Sequence, residues 1–348
     1  MVRVTGNFAS EAPLAGIVAS AISAAFEAGW ADPKKLSQAA TRAKILRSQA
    51  IESIADRLGT RVDEIEIVGE GELATYLCIA GFLQPDRHLA VGAIDRGKIR
   101  AFTRTHHDHT IVPVDSSGAL RAENFPAQSL LTLQMANGET GVIQDVENLA
   151  GRAELVILDA TASAPRISLP SKWDGAIFSS ESWGGPTGLA FMAIRNAAQW
   201  RYPLPHIAPI RTPGGYSLPL LLGAAVALEN FNENKAKIGE LNLYLRKAIS
   251  QSIPDAQVVG SSEKSLPHKV TVLIPGGISD MFIRELEAQS ITIDAGSACS
   301  PDDLTPSHVL ASMGLPTEGS IRLTLRDDHT EAEIDELVNA LVKVRSDL

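Results

Sequence analysis

"ELVILDATASAPRISLPSKWDGAIFSSESWGGPTGLAFMAI", residues 154–194, carries three short aliphatic runs: "ELVILDA" (154–160), "GAIFS" (175–179) and "LAFMAI" (189–194). They are apolar throughout rather than alternating, the pattern of strands covered on both faces. Further short β-rich runs lie upstream in "EIEIV" (64–68), "LAVGAI" (89–94), "TIVPV" (110–114) and "LLTLQM" (130–135), several of them likewise apolar throughout. The intervals leave room for helices or loops, so the spacing predicts an α/β fold with a mainly parallel central sheet and helices on both faces.

Ahead of these runs, Pro13 opens a small-residue helix that stops at Gly29. "KKLSQAATRAKILRSQAIESIADRLG" then keeps helical spacing until Gly59 closes it. From about Tyr216, "LPLLLGAAVALENFNENKAKIGELNLYLRKAISQSI" reads as one long helix linking two domains. Beyond it come a strand "HKVTVLI", a helix around "DMFIRELEAQ", a strand "ITID", the loop "AGSACSPDDLTP", a helix "SHVLASMG", a strand "SIRLTL" and a terminal helix from Thr330. This alternation predicts a second, smaller α/β domain.

With 348 residues, 45% of them hydrophobic, the chain can bury a large core. Its net charge of −10 argues against a nucleic-acid surface, which needs concentrated Lys and Arg. Cys78 and Cys299 are too few for a disulfide framework, which makes a reducing cytoplasm the expected location. "LAGIVASAISAAF" is flanked by Glu11 and Glu27 and diluted by Ala, Ser and Gly, so it reads as an amphipathic helix rather than a signal segment. No apolar run is long enough to span a membrane.

"GSACSPDDLTPSHVLASMGL", followed by "GSIRLTL" and "TEAEIDELVNAL", closely resembles the C-terminal domain of cysteine desulfurases, members of the class V aminotransferase family. Upstream, "MANGETGVIQDV" is similar to the family's Asn-Asn-Glu-x-Gly-x-x-Gln segment, and "LVILDA" to its strand bearing the cofactor aspartate. The match covers nearly the whole chain. It implies a large aminotransferase-like domain over about residues 15–215, and a small domain made of 1–14 and 216–348. It also implies a homodimer with sites at the subunit interface.

That family uses pyridoxal phosphate, whose chemistry takes an imine-forming lysine, an acid for the pyridine nitrogen, donors for the phosphate and an arginine for the substrate carboxylate. The resemblance assigns Asp159 as the pyridinium partner and places Asn137 in the polar cluster beside the ring. Arg322 matches the arginine that grips a carboxylate in a two-pronged hydrogen bond, and Cys299 the cysteine that accepts sulfur as a persulfide. A cation near Cys299, with Arg322 or His308 as candidates, would favour its thiolate.

Other positions depart from the pattern. Where the family reads Ser-x-His-Lys-x-x-Gly-Pro-Lys-Gly, "SSESWGGPTG" puts Glu181 at the His, Ser182 at the Lys and Thr187 at the second Lys. Serine cannot form an imine. The phosphate-binding turn Ser/Thr-Gly-Ala-Thr-Glu becomes "VGEGEL", bringing Glu70 and Glu72 where carboxylates would repel a phosphate. The stacking His becomes Arg96, the second Asn becomes Gly138, and the Gln after the aspartate becomes Ala162. Lys98 is the nearest replacement lysine by sequence, whereas Lys172 precedes its strand.

The expectation is a cofactor-free relative of the desulfurases in which Arg96 turns into the old ring position and pairs with Asp159, Glu72 or Glu181. It would bind a sulfur-transfer protein or an active desulfurase, with Cys299 either holding a persulfide or merely inherited. The alternative is a true pyridoxal-phosphate desulfurase or aminotransferase using another lysine. Arg322 reads either as the carboxylate grip or as a structural ion-pair partner, and Cys78 as a core residue. "THHDHT" (105–110) has the ligands for Zn²⁺ or Ni²⁺, but strand geometry puts at most His107 and His109 on one side, so no metal is expected.

Overall fold

The structure, a computed structural model, describes residues 6–29, 32–33, 35–206, 212, 215–295 and 306–346. Each of the apolar runs becomes a strand: β1 (Ile65–Val68), β2 (His88–Gly92), β3 (His109–Val112), β4 (Ser129–Gln134), β5 (Leu155–Asp159), β6 (Gly175–Ser179) and β7 (Ala190–Ile194). They form one seven-stranded sheet in the order β1-β7-β6-β5-β4-β2-β3. All pairings from β3 through β6 are parallel, and β7 alone runs against its neighbours β6 and β1.

Helices cover both faces of this sheet. On one side, Leu131, Leu133, Val156, Leu158 and Phe178 pack with α1 (Gly16–Glu27), α2 (Gln38–Leu58) and α6 (Leu218–Glu229). On the other, Leu130, Leu155, Ile157 and Ile177 meet α3 (Gly71–Phe82) and Ile99 of the short α4 (Gly97–Arg100). Odd and even positions of one strand thus enter different cores, which explains why the runs show no polar alternation. The helix α5 (Val146–Arg152) closes the crossover from β4 to β5.

The long helix expected from Tyr216 is two helices, α6 and α7 (Lys235–Ser252), separated by the Asn-rich "NFNEN" stretch. Asn230 caps the first at its C-terminus, and the Asn234 side chain accepts from Lys237 N at the start of the second. Leu221, Ala224 and Leu228 of α6 pack into the core of the large sheet.

The smaller unit has a four-stranded antiparallel sheet, ordered β10-β11-β9-β8, from β8 (Gln257–Val258), β9 (Lys269–Leu273), β10 (Asp294–Ala295) and β11 (Ser320–Thr324). Its core joins Val270, Val272, Ile321 and Leu323 to α7, α8 (Ser279–Glu287) and α10 (Glu331–Ser346). Phe8 is fully buried there, which anchors the N-terminal segment in this unit, with Asn7 bridging to Thr292. The short α9 (His308–Ser312) returns to the large unit, where His308 Nε2 bonds Asp95 O at 2.9 Å.

Candidate functional site

In open parallel sheets, ligands lodge beyond the carboxyl ends of the strands. Here a cleft of about 470 Å³ opens there, lined by Glu70 and Glu72 after β1, Arg96 and Lys98 after β2, Thr161 after β5, and Ser179 and Glu181 after β6.

One wall is the start of α3. Its first amides have no partners within the helix and carry the positive end of its dipole, so they would normally attract an anion. Glu70, in extended conformation, supplies one from the chain itself. One carboxylate oxygen accepts from Glu72 N at 2.7 Å, the other from Leu73 N at 2.6 Å. Glu72 points elsewhere and pairs with the Lys98 ammonium, both side chains being largely exposed. Sequence reading had both glutamates as simple repulsion; the geometry gives Glu70 a positive role, as the cap.

At the sheet end of the cleft, Arg96 Nε donates to Asp159 Oδ2 at 2.6 Å, and its Nη2 to Thr75 Oγ1 at 3.1 Å. The Asp159 side chain is 1% exposed and that of Arg96 33%. The other Asp159 oxygen accepts from Thr161 N at 3.0 Å and Thr161 Oγ1 at 2.6 Å. The buried carboxylate therefore has a cation on one oxygen and two neutral donors on the other, as its desolvation demands.

Asp95 lies next to this pair and is fully buried. Its Oδ2 accepts from Thr132 Oγ1 at 2.7 Å and Gly92 N at 3.0 Å, while Oδ1 has no hydrogen-bond partner among the described residues. Burial pushes its pKa up to about 7; the Asp159 charge adds to this, and the Thr132 and Gly92 hydrogen bonds and Arg96 oppose it. Cys78 packs beneath, free and buried, its thiol held far above the ordinary range by burial and then by Asp159. It is a core residue without thiolate character.

Ser182 belongs to a 3₁₀ turn, Ser180–Trp183, ended by Gly184 in the left-handed region at φ 74°. Its hydroxyl donates to Ser179 O at 2.8 Å, and its carbonyl accepts from Arg166, whose guanidinium also pairs with Glu233. Ser182 thus serves its own turn, whereas Glu181 and Ser179 line the cleft. Lys172 donates to Ala153 O before β6 begins, at the opposite end of the strands, leaving Lys98 as the cleft's lysine among the described residues.

Asn137 is buried, and its polar atoms are engaged by the protein. Its amide donates to Ile94 O and Gln134 Oε1, and its carbonyl accepts from Glu139 N, Thr140 N and Thr140 Oγ1. It organises the turn after β4 and is absent from the cleft lining. Arg322 lies in the smaller unit on β11, with Nη2 donating to Ala295 O at 2.5 Å. Cys299 and its loop neighbours lie outside the described residues. In "THHDHT", His106 bonds Arg87 O and His109 bonds His106 O, while Asp108 holds His88.

The cleft therefore gathers Arg96, Glu72 and Glu181, with Asp159 buried behind Arg96, while Ser182, Asn137 and Arg322 serve other contacts. Sequence reading missed Thr75, Thr161, Asp95 and Arg166. Thr161, two residues after Asp159, fits the familiar Asx-turn spacing; Arg166 left no local signal because its partners are distant in sequence.

No family model matches the chain. It is 28% identical to a cysteine desulfurase of Nostoc sp., across 85% of this chain and 81% of the relative. A cysteine desulfurase IscS of Clostridium botulinum is 25% identical across 92% of this chain and 88% of its own. Among solved structures, a NifS-like protein superposes with a TM-score of 0.86 at 21% identity, covering 99% of this chain and 100% of that one.

Proposed function

We propose that this chain, similar to cysteine desulfurases in sequence and to a NifS-like protein in fold, works without pyridoxal phosphate, as a binding or partner subunit. The observation that carries this reading is the ion pair of Arg96 with Asp159. A pyridine nitrogen would need the carboxylate that Arg96 already holds. A phosphate would need the α3 amides that Glu70 already fills. At the end of β6, Ser182 offers a hydroxyl that makes no imine, and Glu181 adds negative charge to the cleft. The residues present do not fit the cofactor.

What the reading leaves to the protein is association and sulfur handling. The chain pairs with itself in the cytoplasm and meets an active desulfurase or a sulfur-transfer protein, Cys299 receiving sulfur made elsewhere. In that step the Cys299 thiolate attacks the outer sulfur of a donor persulfide, the donor's S–S bond breaks, and the donor thiolate leaves; no net oxidation occurs. The test incubates the purified protein with an active desulfurase and cysteine and looks by mass spectrometry for a persulfide on Cys299, with Cys299→Ser as control. The protein is expected to be colourless and to release no sulfide from cysteine on its own. A visible imine band in the purified protein, reducible by borohydride onto Lys98, would establish the pyridoxal-phosphate enzyme instead.

A further inference from the structure

The turn at 93–96, between β2 and α4, holds an acid that has no cation of its own. Asp95 is fully buried; Thr132 Oγ1 and Gly92 N donate to its Oδ2, and its Oδ1 has no hydrogen-bond partner among the described residues. That oxygen lies against Gly92, where an added Cβ would meet it at 3.0 Å. The adjacent guanidinium is engaged elsewhere, Arg96 donating to Asp159 and Thr75. Two buried carboxyl groups thus stand beside one arginine, and an ionised Asp95 would be the uncompensated one.

The same turn is where α9 sits. His308 Nε2 donates to Asp95 O at 2.9 Å, Ser312 Oγ donates to Ala93 O at 3.3 Å, and Ile94 packs with Val309, Leu310 and Met313. The carbonyl between these two accepts from Asn137 Nδ2 at 3.1 Å. A carboxylate that reaches for water carries this backbone with it. The polar acceptors of α9 and its apolar contact with Ile94 would then be lost together.

We propose that the turn at 93–96 is a pH-sensitive seat for α9: a protonated Asp95 lets the turn close and the helix dock, and loss of that proton opens the turn and releases the helix. The step is the passage of one proton from the Asp95 carboxyl to water. Because α9 follows the Cys299 segment in the chain, its docking tethers the C-terminal side of that segment. The device holds whether or not Cys299 carries sulfur.

The charged and titratable groups around Asp95 are Asp159 at the end of β5, Arg96 beside it in the turn and His308 from α9. Cys78 of α3 lies beneath with a thiol that burial keeps neutral, and Glu139, from the turn after β4, is held by Ser307 at the start of α9. Burial raises the Asp95 pKa to about 7; Asp159 adds to this, and the Thr132 and Gly92 hydrogen bonds and Arg96 oppose it. In the open turn the carboxyl meets water and returns towards the ordinary 3.8. Between these values the docked form holds a proton that the open form has released. Opening therefore gains about tenfold per pH unit on the way up and levels off once the docked form has also ionised.

Hydrogen–deuterium exchange of the full chain, read by mass spectrometry and corrected for the intrinsic pH dependence of amide exchange, tests this on peptides covering 308–315 and 130–133. Between about pH 5.5 and about pH 7.5 the opening of the α9 peptide should rise at least about tenfold in the wild type, with α9 exchanging ahead of the β4 peptide. Asp95→Asn, which has no such proton to lose, should leave α9 equally protected at both. His308→Gln, which keeps an N–H donor but does not titrate, should retain the rise. An α9 whose protection ignores pH overturns the proposal, as does a rise that survives in Asp95→Asn. So does a rise that vanishes in His308→Gln, which would make His308 the titrating group. Exchange of α9 only in step with the β4 peptide would also overturn it, because the opening would then be global unfolding.

Discussion

Arg96 and Asp159, 63 positions apart in sequence, meet at 2.6 Å beside the cleft that Arg96 lines, the carboxylate almost wholly buried and the guanidinium one third exposed. Neither charge is comfortable alone. The acid is desolvated under the sheet end, and the base reaches it from the turn after β2.

Arg96→Met should therefore destabilise the protein by on the order of 3 kcal/mol, because a buried carboxylate is left without its cation. The double variant with Asp159→Asn should recover most of that loss. Urea denaturation of the wild type, both single variants and the double variant measures it, and a double variant as weak as Arg96→Met would mean that the charge pair is not the source of the effect.

Glu70→Ala should cost about 1 kcal/mol, the ordinary price of losing a helix cap, whereas Glu70→Ser should cost less because serine caps through its own oxygen. Thermal melts of the two variants compare them directly. Equal losses would argue that Glu70 contributes through charge alone.

Asp95 makes stability depend on pH. Its folded pKa, about 7, lies above the ordinary 3.8, so between these values the folded state holds a proton that the unfolded state has released. Stability must fall as pH rises through this window and stay low above it. Asp95→Asn removes the dependence: it should match the wild type near pH 4 and exceed it at pH 8, by an amount on the order of 4 kcal/mol at most. Parallel pH dependence of the two proteins would place the proton elsewhere.

Ser182→Lys should yield a colourless protein. A lysine there still faces Arg96 on Asp159 and Glu70 on the α3 amides, so added pyridoxal phosphate finds neither anchor. The check is the visible spectrum after incubation with the cofactor; a yellow, borohydride-reducible adduct on residue 182 would show a more open pocket than these contacts describe.

The strands were legible because the central ones had to be apolar on both faces, a requirement that local sequence expresses directly. The break between α6 and α7 was also written there, in Asn230 and Asn234, but helical periodicity on both sides masked it. Arg96 was identified by its place in a motif, which left Asp159, Glu72 and Glu181 all open as its partner; the fold pairs it with Asp159. Glu70 was read through its charge when its backbone position mattered more: two and three residues ahead of the amides that donate to it, it is a cap before it is a repellent. Asn137 looked like a ligand-facing group because the resemblance put it there, although its bonds to Ile94, Gln134, Glu139 and Thr140 come from a turn that only the folded chain brings together.

The Glu70 cap also bears on how this sequence can change. Each internal contact in the cleft stabilises the fold in the absence of any ligand, so a mutation that clears the α3 amides is selected against at once, before phosphate binding can offer a benefit. The same holds for Arg96 and for the turn hydrogen bond of Ser182. Opening the site would require several substitutions together, each costing folding energy on its own, so on the proposed reading the cleft behaves as a ratchet: single steps towards a vacant pocket cross sequences that fold less well.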